Sequence, residues 1–374
     1  MQIAILNPWF IDEKSIGGTE RFVKDLSKGL ASLGHHVDVY MLSGRSYTFE
    51  NINFISLNFF GNNIIADEYL LKNKFGQLNN EQIYDDIAKN IDNMIDFSHY
   101  DFVQINSHLF LKCCRNKKRI YVIHSNLNEF LVSNSKEDFE VMIDVMKKEI
   151  EFDIKFVVVS NAYLKFWKNK LKSNVYSIPH AINIKRLFCE KSKKDYLLEY
   201  NLSSNKIKIL LPSRLEPIQK KPMTVLKACK KLPLTNRNKY QIIFTGLDSQ
   251  YTKYIEKLQI YAKKNNIDAK FISFNNIAQA YNIADYVILP SKTESFGYSA
   301  LESLSLGIPT FLSNIPSFRE IASGNENAII FNNINHLTKL LSVSQDKYKR
   351  KIVSKEWKNR YDINKWIKKY LLLV

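Results

Sequence analysis

Asp285-Tyr-Val-Ile-Leu-Pro-Ser-Lys-Thr-Glu-Ser-Phe-Gly-Tyr-Ser-Ala-Leu-Glu-Ser-Leu-Ser-Leu-Gly-Ile-Pro309 is the stretch whose reading decides the fold. Tyr286 to Leu289 is a short apolar run with the pattern of a strand buried on both faces. Pro290 and Ser291 end it, and Gly297 marks a tight turn before a helix with Leu301 and Leu304 on its apolar face. Gly307 and Pro309 stop that helix. The unit is strand, loop, helix, with a helix N-terminus at the carboxyl end of a strand. In open α/β sheets ligands bind there, and free N–H groups at the helix start favour a phosphate. Glu294 in the loop and Glu302 beyond it place two carboxylates by the same crevice. Ser299 and Glu302 also have capping-box spacing, so Glu302 reads equally as a helix cap or as a ligand-binding acid.

Length and composition frame this unit. A chain of 374 residues predicts two domains, and 45% hydrophobic residues are enough for two cores. No apolar run reaches the ~18 residues of a membrane span. The N-terminal Met-Gln-Ile-Ala-Ile-Leu-Asn reads directly as a strand, not as a signal peptide. Cys113, Cys114, Cys189 and Cys229 have neither metal-ligand nor disulfide-framework spacing, which predicts a reducing, cytoplasmic setting. The net charge of +17 fits nucleic acid, an anionic membrane surface or a phosphate-bearing substrate. The abundance of Lys, Asn and Ile also has the look of coding bias in an AT-rich genome. Nucleic acid would call for stacking platforms on an exposed sheet; the buried-strand patterns argue against them, so no nucleic-acid partner is expected.

The first half opens with a βαβ pattern: strand Gln2–Leu6, the turn Gly17-Gly18-Thr19-Glu20, a helix with Phe22, Leu26, Leu30 and Leu33 on one face, and strand Val37–Leu42. Gly-Gly before a helix is simple turn chemistry or a place where backbone approaches a ligand. Residues 54–75 show no clear period, and Gln77–Phe97 has helical spacing. Strands recur at Phe102–Ile105, Arg119–His124 and Lys155–Val159; His124 ends its strand at the sheet edge where a site would lie. The helix from Asn161 carries Leu164, Trp167 and Leu171 against Lys165, Lys168 and Lys172, and Lys112–Arg119 is a second basic run. Both fit docking on an anionic bilayer or ordinary solvated faces. Residues 184–204 are polar and read as a linker.

The second half begins with strand Lys206–Leu211, then Arg214 and Lys220 before a helix over Thr224–Lys231. A guanidinium fork and an ammonium at a strand's carboxyl end suit a diphosphate, with Lys221 as the alternative lysine. The segment Ile352–Leu373 reads as one basic amphipathic helix.

Glu294-Ser-Phe-Gly-Tyr-Ser-Ala-Leu-Glu302, with Asp285 and Pro-Ser before it and Gly-x-Pro after it, resembles the E-x7-E signature of family 4 glycosyltransferases. Gly17-Gly18-x-Glu20, the histidine at 124, and Arg214 with Lys220 fall where that family has equivalents, so the resemblance spans nearly the whole chain. It departs at His180, Ala181 and Asn183, where the family has Asn, Gly and Asp, and at Lys221. The resemblance implies an α/β protein of two Rossmann-like domains facing across a cleft, the GT-B arrangement. The expected division is 1–185 for the acceptor side, 186–355 for nucleotide-sugar binding, and 356–374 as a helix crossing back to the first domain. It implies a retaining glycosyltransferase, acting on a nucleotide diphosphate sugar and a glycan or lipid-linked acceptor in cell-surface polysaccharide or glycoconjugate synthesis, with no cofactor or metal. A peripheral location on the inner face of the plasma membrane goes with that role. His124, Arg214, Lys220 and Glu294 are the implied catalytic residues. Gly17, Gly18, Ser295, Phe296, Gly297, Tyr298 and Glu302 are implied for the nucleotide sugar. A phosphorylase or sugar-phosphate synthase on the same fold, or a non-catalytic nucleotide-sugar-binding protein, are the alternatives.

Overall fold

The structure is a computed structural model, and it describes residues 1–12, 17–59, 80–343 and 348–374. Most of the patternless stretch 54–75 and the start of the helical pattern at 77 lie outside those residues. The chain divides into two compact units, Met1–Ala181 with Ile363–Val374, and Ile182–Asp362.

In the first unit the order is β1 (Gln2–Asn7), α1 (Gly18–Ser32), β2 (His36–Met41), β3 (Tyr47–Phe49), β4 (Ile52–Ser56), α2 (Gln82–Met94), β5 (Phe102–Ile105), β6 (Lys118–Ile123), α3 (Leu127–Ser133), α4 (Lys136–Glu149), β7 (Ile154–Val158), α5 (Leu164–Leu171) and β8 (Val175–Ser177). The strands form one sheet in the order β3-β4-β2-β1-β5-β6-β7-β8, parallel except where β3 pairs with β4. Ile3, Ala4, Ile5 and Leu6 are buried because helices cover both faces of such a sheet. The chain order reverses across the β1–β5 pair, so their carboxyl ends flank a topological switch point.

The basic run 112–119 does not form a solvated patch. Lys112, 5% exposed, is paired with Glu81 and Asp85 at 2.9 and 2.8 Å. Arg115 and Arg119 both reach the fully buried Glu149, Arg119 at 3.0 Å. Lys117 donates to the carbonyls of Ser98 and Tyr100. Charges taken out of water persist only when paired this way, so most of the run's charge is spent inside the unit. Along α5, Trp167 and Leu171 are buried while Lys165, Lys168 and Lys172 stay exposed.

The second unit contains α6 (Lys193–Glu199), β9 (Ile207–Leu211), α7 (Met223–Lys230), α8 (Leu234–Arg237), β10 (Tyr240–Phe244), α9 (Thr252–Lys264), β11 (Ala269–Phe271), α10 (Ile277–Ile283), β12 (Tyr286–Leu289), α11 (Tyr298–Ser305), β13 (Thr310–Ser313), α12 (Pro316–Ala322), β14 (Ala328–Phe331), α13 (Ile334–Ser342) and α14 (Lys355–Arg360). Its all-parallel sheet runs β11-β10-β9-β12-β13-β14, with the switch point between β9 and β12. Residues 184–204 are not a bare linker. Ile184–Leu187 is a short 3₁₀ turn capped by the Asn183 side chain, and α6 follows with a capping box from Ser192 and Asp195.

The single helix expected over 352–373 is two. Helix α14 belongs to the second unit, where Trp357 Nε1 donates to the Ile321 carbonyl at 2.8 Å. After Tyr361 and Asp362 the chain enters α15 (Ile363–Leu371), part of the first unit. The crossing points lie together, because the Ile182 N–H donates to the Tyr361 carbonyl at 3.1 Å. Amphipathic spacing continues through the break, which is why the sequence reads as one element. Helix α15 packs on α1 at Gly29, where an added Cβ would lie 2.0 Å from Ile367 Cδ1, so any larger residue would have to push the Ile367 side chain aside.

Candidate functional site

Each unit gathers polar side chains at the carboxyl ends of the strands flanking its switch point. In the second unit, β9 leads into the loop with Arg214 and Lys220, and β12 leads into the loop with Glu294. Lys220 Nζ and Glu294 Oε1 are 2.6 Å apart, and Ser291 Oγ donates to the same oxygen at 2.8 Å. The lysine loop is shaped by Glu216. Its carboxylate accepts the backbone N–H groups of Ile218, Gln219 and Lys220, at 2.6 Å for Ile218 and 3.1 Å for Lys220. The loop is then stitched to its neighbour by Lys292 N–H donating to the Gln219 carbonyl at 2.7 Å. Lys221, in the left-handed region at φ +49°, is exposed. Of the two lysines, Lys220 is the one held against Glu294.

Arg214 is exposed just beyond β9. Its loop passes under Gly246, which has φ +63° and where a Cβ would lie 2.5 Å from the Ser213 carbonyl oxygen. Backbone there cannot give way as a side chain tip could. Gly246→Ala is expected to destabilise the protein by about 1–3 kcal/mol through strain and overpacking. A urea midpoint unchanged from the parent protein would contradict that.

Gly297 has φ +113°, and a Cβ would come 2.6 Å from the Phe318 ring. It is the N-cap of α11, its carbonyl accepting from Ala300 and Leu301 N–H at 3.0 and 3.1 Å. Ser295, Phe296 and Tyr298 are buried, which leaves their backbone rather than their side chains for any ligand. The capping-box reading of Ser299 and Glu302 is corrected. Ser299 Oγ donates to the Pro212 carbonyl at 2.7 Å, tying α11 to the loop after β9. Glu302 is 1% exposed and held by Arg186 Nη2 at 2.6 Å and Tyr281 Oη at 2.7 Å. Sequence reading missed Arg186, which lies 116 residues away within the segment taken as linker. Asp285 is structural in this unit, accepting from the Lys208 N–H at 2.8 Å and pairing with Lys193.

In the first unit, Gly17 is the N-cap of α1 with φ −66°, so neither glycine at 17–18 is there for a left-handed backbone. The Glu20 carboxylate folds over Gly17, where a Cβ would stand 2.0 Å from Glu20 Oε2. His124, half-buried after β6, lies 3.0 Å through Nε2 from Asn106 Oδ1 after β5. The Phe22 ring meets His124 edge-on at 4.7 Å and His180 at 5.2 Å, and the two imidazoles stack at 6.0 Å. Asn106 was not singled out from the sequence, and His180 was noted only as a departure from the family pattern, although both join this cluster. Trp366 and Tyr370 of α15 close it, with ring centroids 5.3 and 5.7 Å from Phe22.

Burial lowers His124 to about 3, and burial together with the neighbouring His124 holds His180 well below its ordinary value. Both rings are therefore neutral at pH 7. The unfolded chain takes up these protons near pH 6.5, whereas the folded chain resists them until much lower pH. Stability is thus complete above about pH 6.5 and falls on acidification, by about 1.4 kcal/mol per pH unit for each histidine. Melting temperatures between pH 7.5 and 5 should drop accordingly, and more shallowly in His124→Gln. A flat profile in the parent protein would rule out buried neutral histidines.

Known proteins resemble both units. Residues 16–186 match the profile of Glycosyltransferase Family 4, and residues 192–360 that of Glycosyl transferases group 1. The O-antigen biosynthesis glycosyltransferase WclY of Escherichia coli is 34% identical over 89 residues, covering 24% of this chain and 25% of that protein. Among solved structures, sucrose-phosphate synthase from Thermosynechococcus elongatus superposes with a TM-score of 0.77 at 18% identity, covering 100% of this chain and 98% of the other. Anabaena HepE, solved with UDP and glucose, gives a TM-score of 0.72 at 16% identity, covering 100% and 99%. Among the described residues, no helix is long and apolar enough to cross a membrane.

Proposed function

Since the chain belongs to the family 4 glycosyltransferases of GT-B fold, we propose that it moves a hexose-type sugar from a nucleoside diphosphate sugar to a hydroxyl of a glycan or lipid-linked acceptor. The observation that carries this reading is the Lys220–Glu294 pair at the carboxyl end of the β9–β12 switch point. Lys220 and Arg214 neutralise the charge that builds on the departing diphosphate. Fixed cations aimed at a developing anion act strongly in a water-poor site and take the part a metal plays elsewhere. Glu294, its ammonium partner drawn towards phosphate, turns its carboxylate to the donor sugar's hydroxyls. Backbone N–H groups at the start of α11 add to the diphosphate's cradle. Glu302 receives a ribose hydroxyl once the Arg186 side chain, 27% exposed, swings off it, since each carboxylate oxygen accepts more than one hydrogen bond. Gly17 and Gly18 let backbone come near the donor, and His124 bonds a sugar hydroxyl. Retention of anomeric configuration follows from the resemblance. The exposed lysines of α5 favour an anionic bilayer carrying the acceptor, at the cytoplasmic face in polysaccharide synthesis.

A thermal-shift screen against UDP, GDP, ADP, TDP and CMP, then the corresponding nucleotide sugars, tests this reading. A ligand at 100 times its Kd adds about 2.7 kcal/mol, which is readily seen. Stabilisation by one diphosphate, unaffected by EDTA and lost in Lys220→Ala, is the expected outcome. Silence from every nucleotide would overturn the donor-site assignment.

A further inference from the structure

The atom of Asn106 that faces His124 is a carbonyl oxygen, and this has a chemical consequence. Asn106 is 3% exposed at the end of β5, next to Gln104, which is fully buried. Three contacts surround its amide, and the one to Leu6 determines which way it points. Asn106 Nδ2 donates to the Leu6 carbonyl at 3.4 Å, and Gln104 Nε2 donates to Asn106 Oδ1 at 3.2 Å. The third is His124 Nε2, 3.0 Å from the same Oδ1. Turning the amide over would set its oxygen against the Leu6 carbonyl, two acceptors with no proton between them. The backbone N–H of Asn106 also goes to Leu6, at 3.0 Å, so the residue cannot slide out of register.

An amide oxygen only accepts, so the imidazole nitrogen opposite it must carry the proton. In a neutral histidine the other nitrogen is then an acceptor. We propose that Asn106, braced by Gln104, is a positioning residue that fixes His124 as the Nε2–H tautomer, leaving Nδ1 as a hydrogen-bond acceptor for a ligand hydroxyl. The tautomer follows from the first unit alone; the hydroxyl ligand rests on the transferase reading above. A lone pair at Nδ1 accepts a proton donor and repels an anion. His124 is thereby a reader of a neutral hydroxyl, and stabilising the charge of a leaving diphosphate falls to Arg214 and Lys220. The ring is kept in place by Phe22 at its edge and His180 stacked beside it.

Long-range proton–nitrogen correlation spectra of the full chain, labelled with ¹⁵N at its seven histidines, test the tautomer directly. His124→Gln identifies the resonances of His124 by their loss. At pH 7.5 the parent protein should show a protonated Nε2 with slow exchange and an unprotonated Nδ1. Asn106→Leu, which removes the acceptor, should give averaged nitrogens and a rapidly exchanging proton. Turnover in Asn106→Leu should fall by about 10–100-fold, taking as the scale the loss when a metal-bound histidine is deprived of the partner of its other nitrogen. Adding Asn106→Leu to His124→Gln should cost nothing further. A protonated Nδ1 or averaged nitrogens in the parent protein, or an unchanged pattern in Asn106→Leu, would overturn the proposal. If Asn106→Leu does not fold, the parent spectrum still decides. The spectra need no substrate, so the tautomer stands or falls separately from the transferase reading.

Discussion

Lys220→Ala is expected to lower turnover by about 10²–10³-fold, equivalent to about 2.7–4 kcal/mol of transition-state stabilisation, while leaving the protein folded. The size of the effect comes from the setting of the ammonium. Its side chain is 16% exposed, its backbone N–H is bound by Glu216, and its Nζ is held at Glu294. A cation so placed needs little reorganisation when charge develops beside it. Folding should survive because Glu216 still binds Ile218 and Gln219, and Ser291 Oγ still donates to Glu294. The loss of one half-buried partner should cost about 1–2 kcal/mol of stability. The donor found by thermal shift supplies the assay, with circular dichroism and a melting curve as controls. Turnover within threefold of the parent enzyme would remove Lys220 from the chemistry. Lys221→Ala, at an exposed position, should be nearly silent.

Trp366→Ala should destabilise the first unit by about 3–5 kcal/mol, the range for truncating a buried aromatic to alanine. Trp366 is 2% exposed and packs on Phe22 and Tyr370, with ring centroids 5.3 Å from each. Its ring also lies 6.4 Å from His180. Removing the indole would leave Phe22 free to shift, and Phe22 is what holds the His124 ring edge-on. Two readouts should therefore move together: the calorimetric transition of the first unit, and the histidine resonances of the parent spectrum. The transition of the second unit should stay where it was, because α14 is held within that unit by Trp357 Nε1 donating to the Ile321 carbonyl. A loss of stability under 1 kcal/mol would show that α15 is a loosely attached appendage.

Much of this architecture was legible in the residues. Runs such as Ile3–Leu6 and Ile207–Leu211 are buried on both faces, and their spacing with amphipathic helices reports alternating βα units. The E-x7-E stretch was readable because its strand, turn glycine and helix are contiguous. What stayed hidden depends on contacts between residues far apart in the chain. Glu302 meets Arg186 across 116 residues, and a polar segment in isolation looks like a linker whatever it touches after folding. The basic run at 112–119 looked like a surface patch because Glu81, Asp85 and Glu149, which neutralise much of it, lie 27 to 34 residues away. His180 attracted no role, as it departs from the family pattern, yet it stacks on the histidine that the resemblance did single out. The break between α14 and α15 has no proline or glycine to announce it. Only the change of unit gives it away.

The chain order of the two units is first, second, first, so the second is an insert within the other. A ribosome delivers residues 182–362 entire before Trp366 and Tyr370 have been made. The second unit can thus complete its core during synthesis, when chains emerge at about 5–20 residues per second. The first unit cannot: Phe22 precedes residues 182–362 in the chain, and its partners Trp366 and Tyr370 follow them. A chain cut after residue 362 would have an intact second unit and an open apolar seam in the first. Such a fragment would expose apolar surface to chaperones and proteases, because Trp366 and Tyr370 are the side chains that cover Phe22.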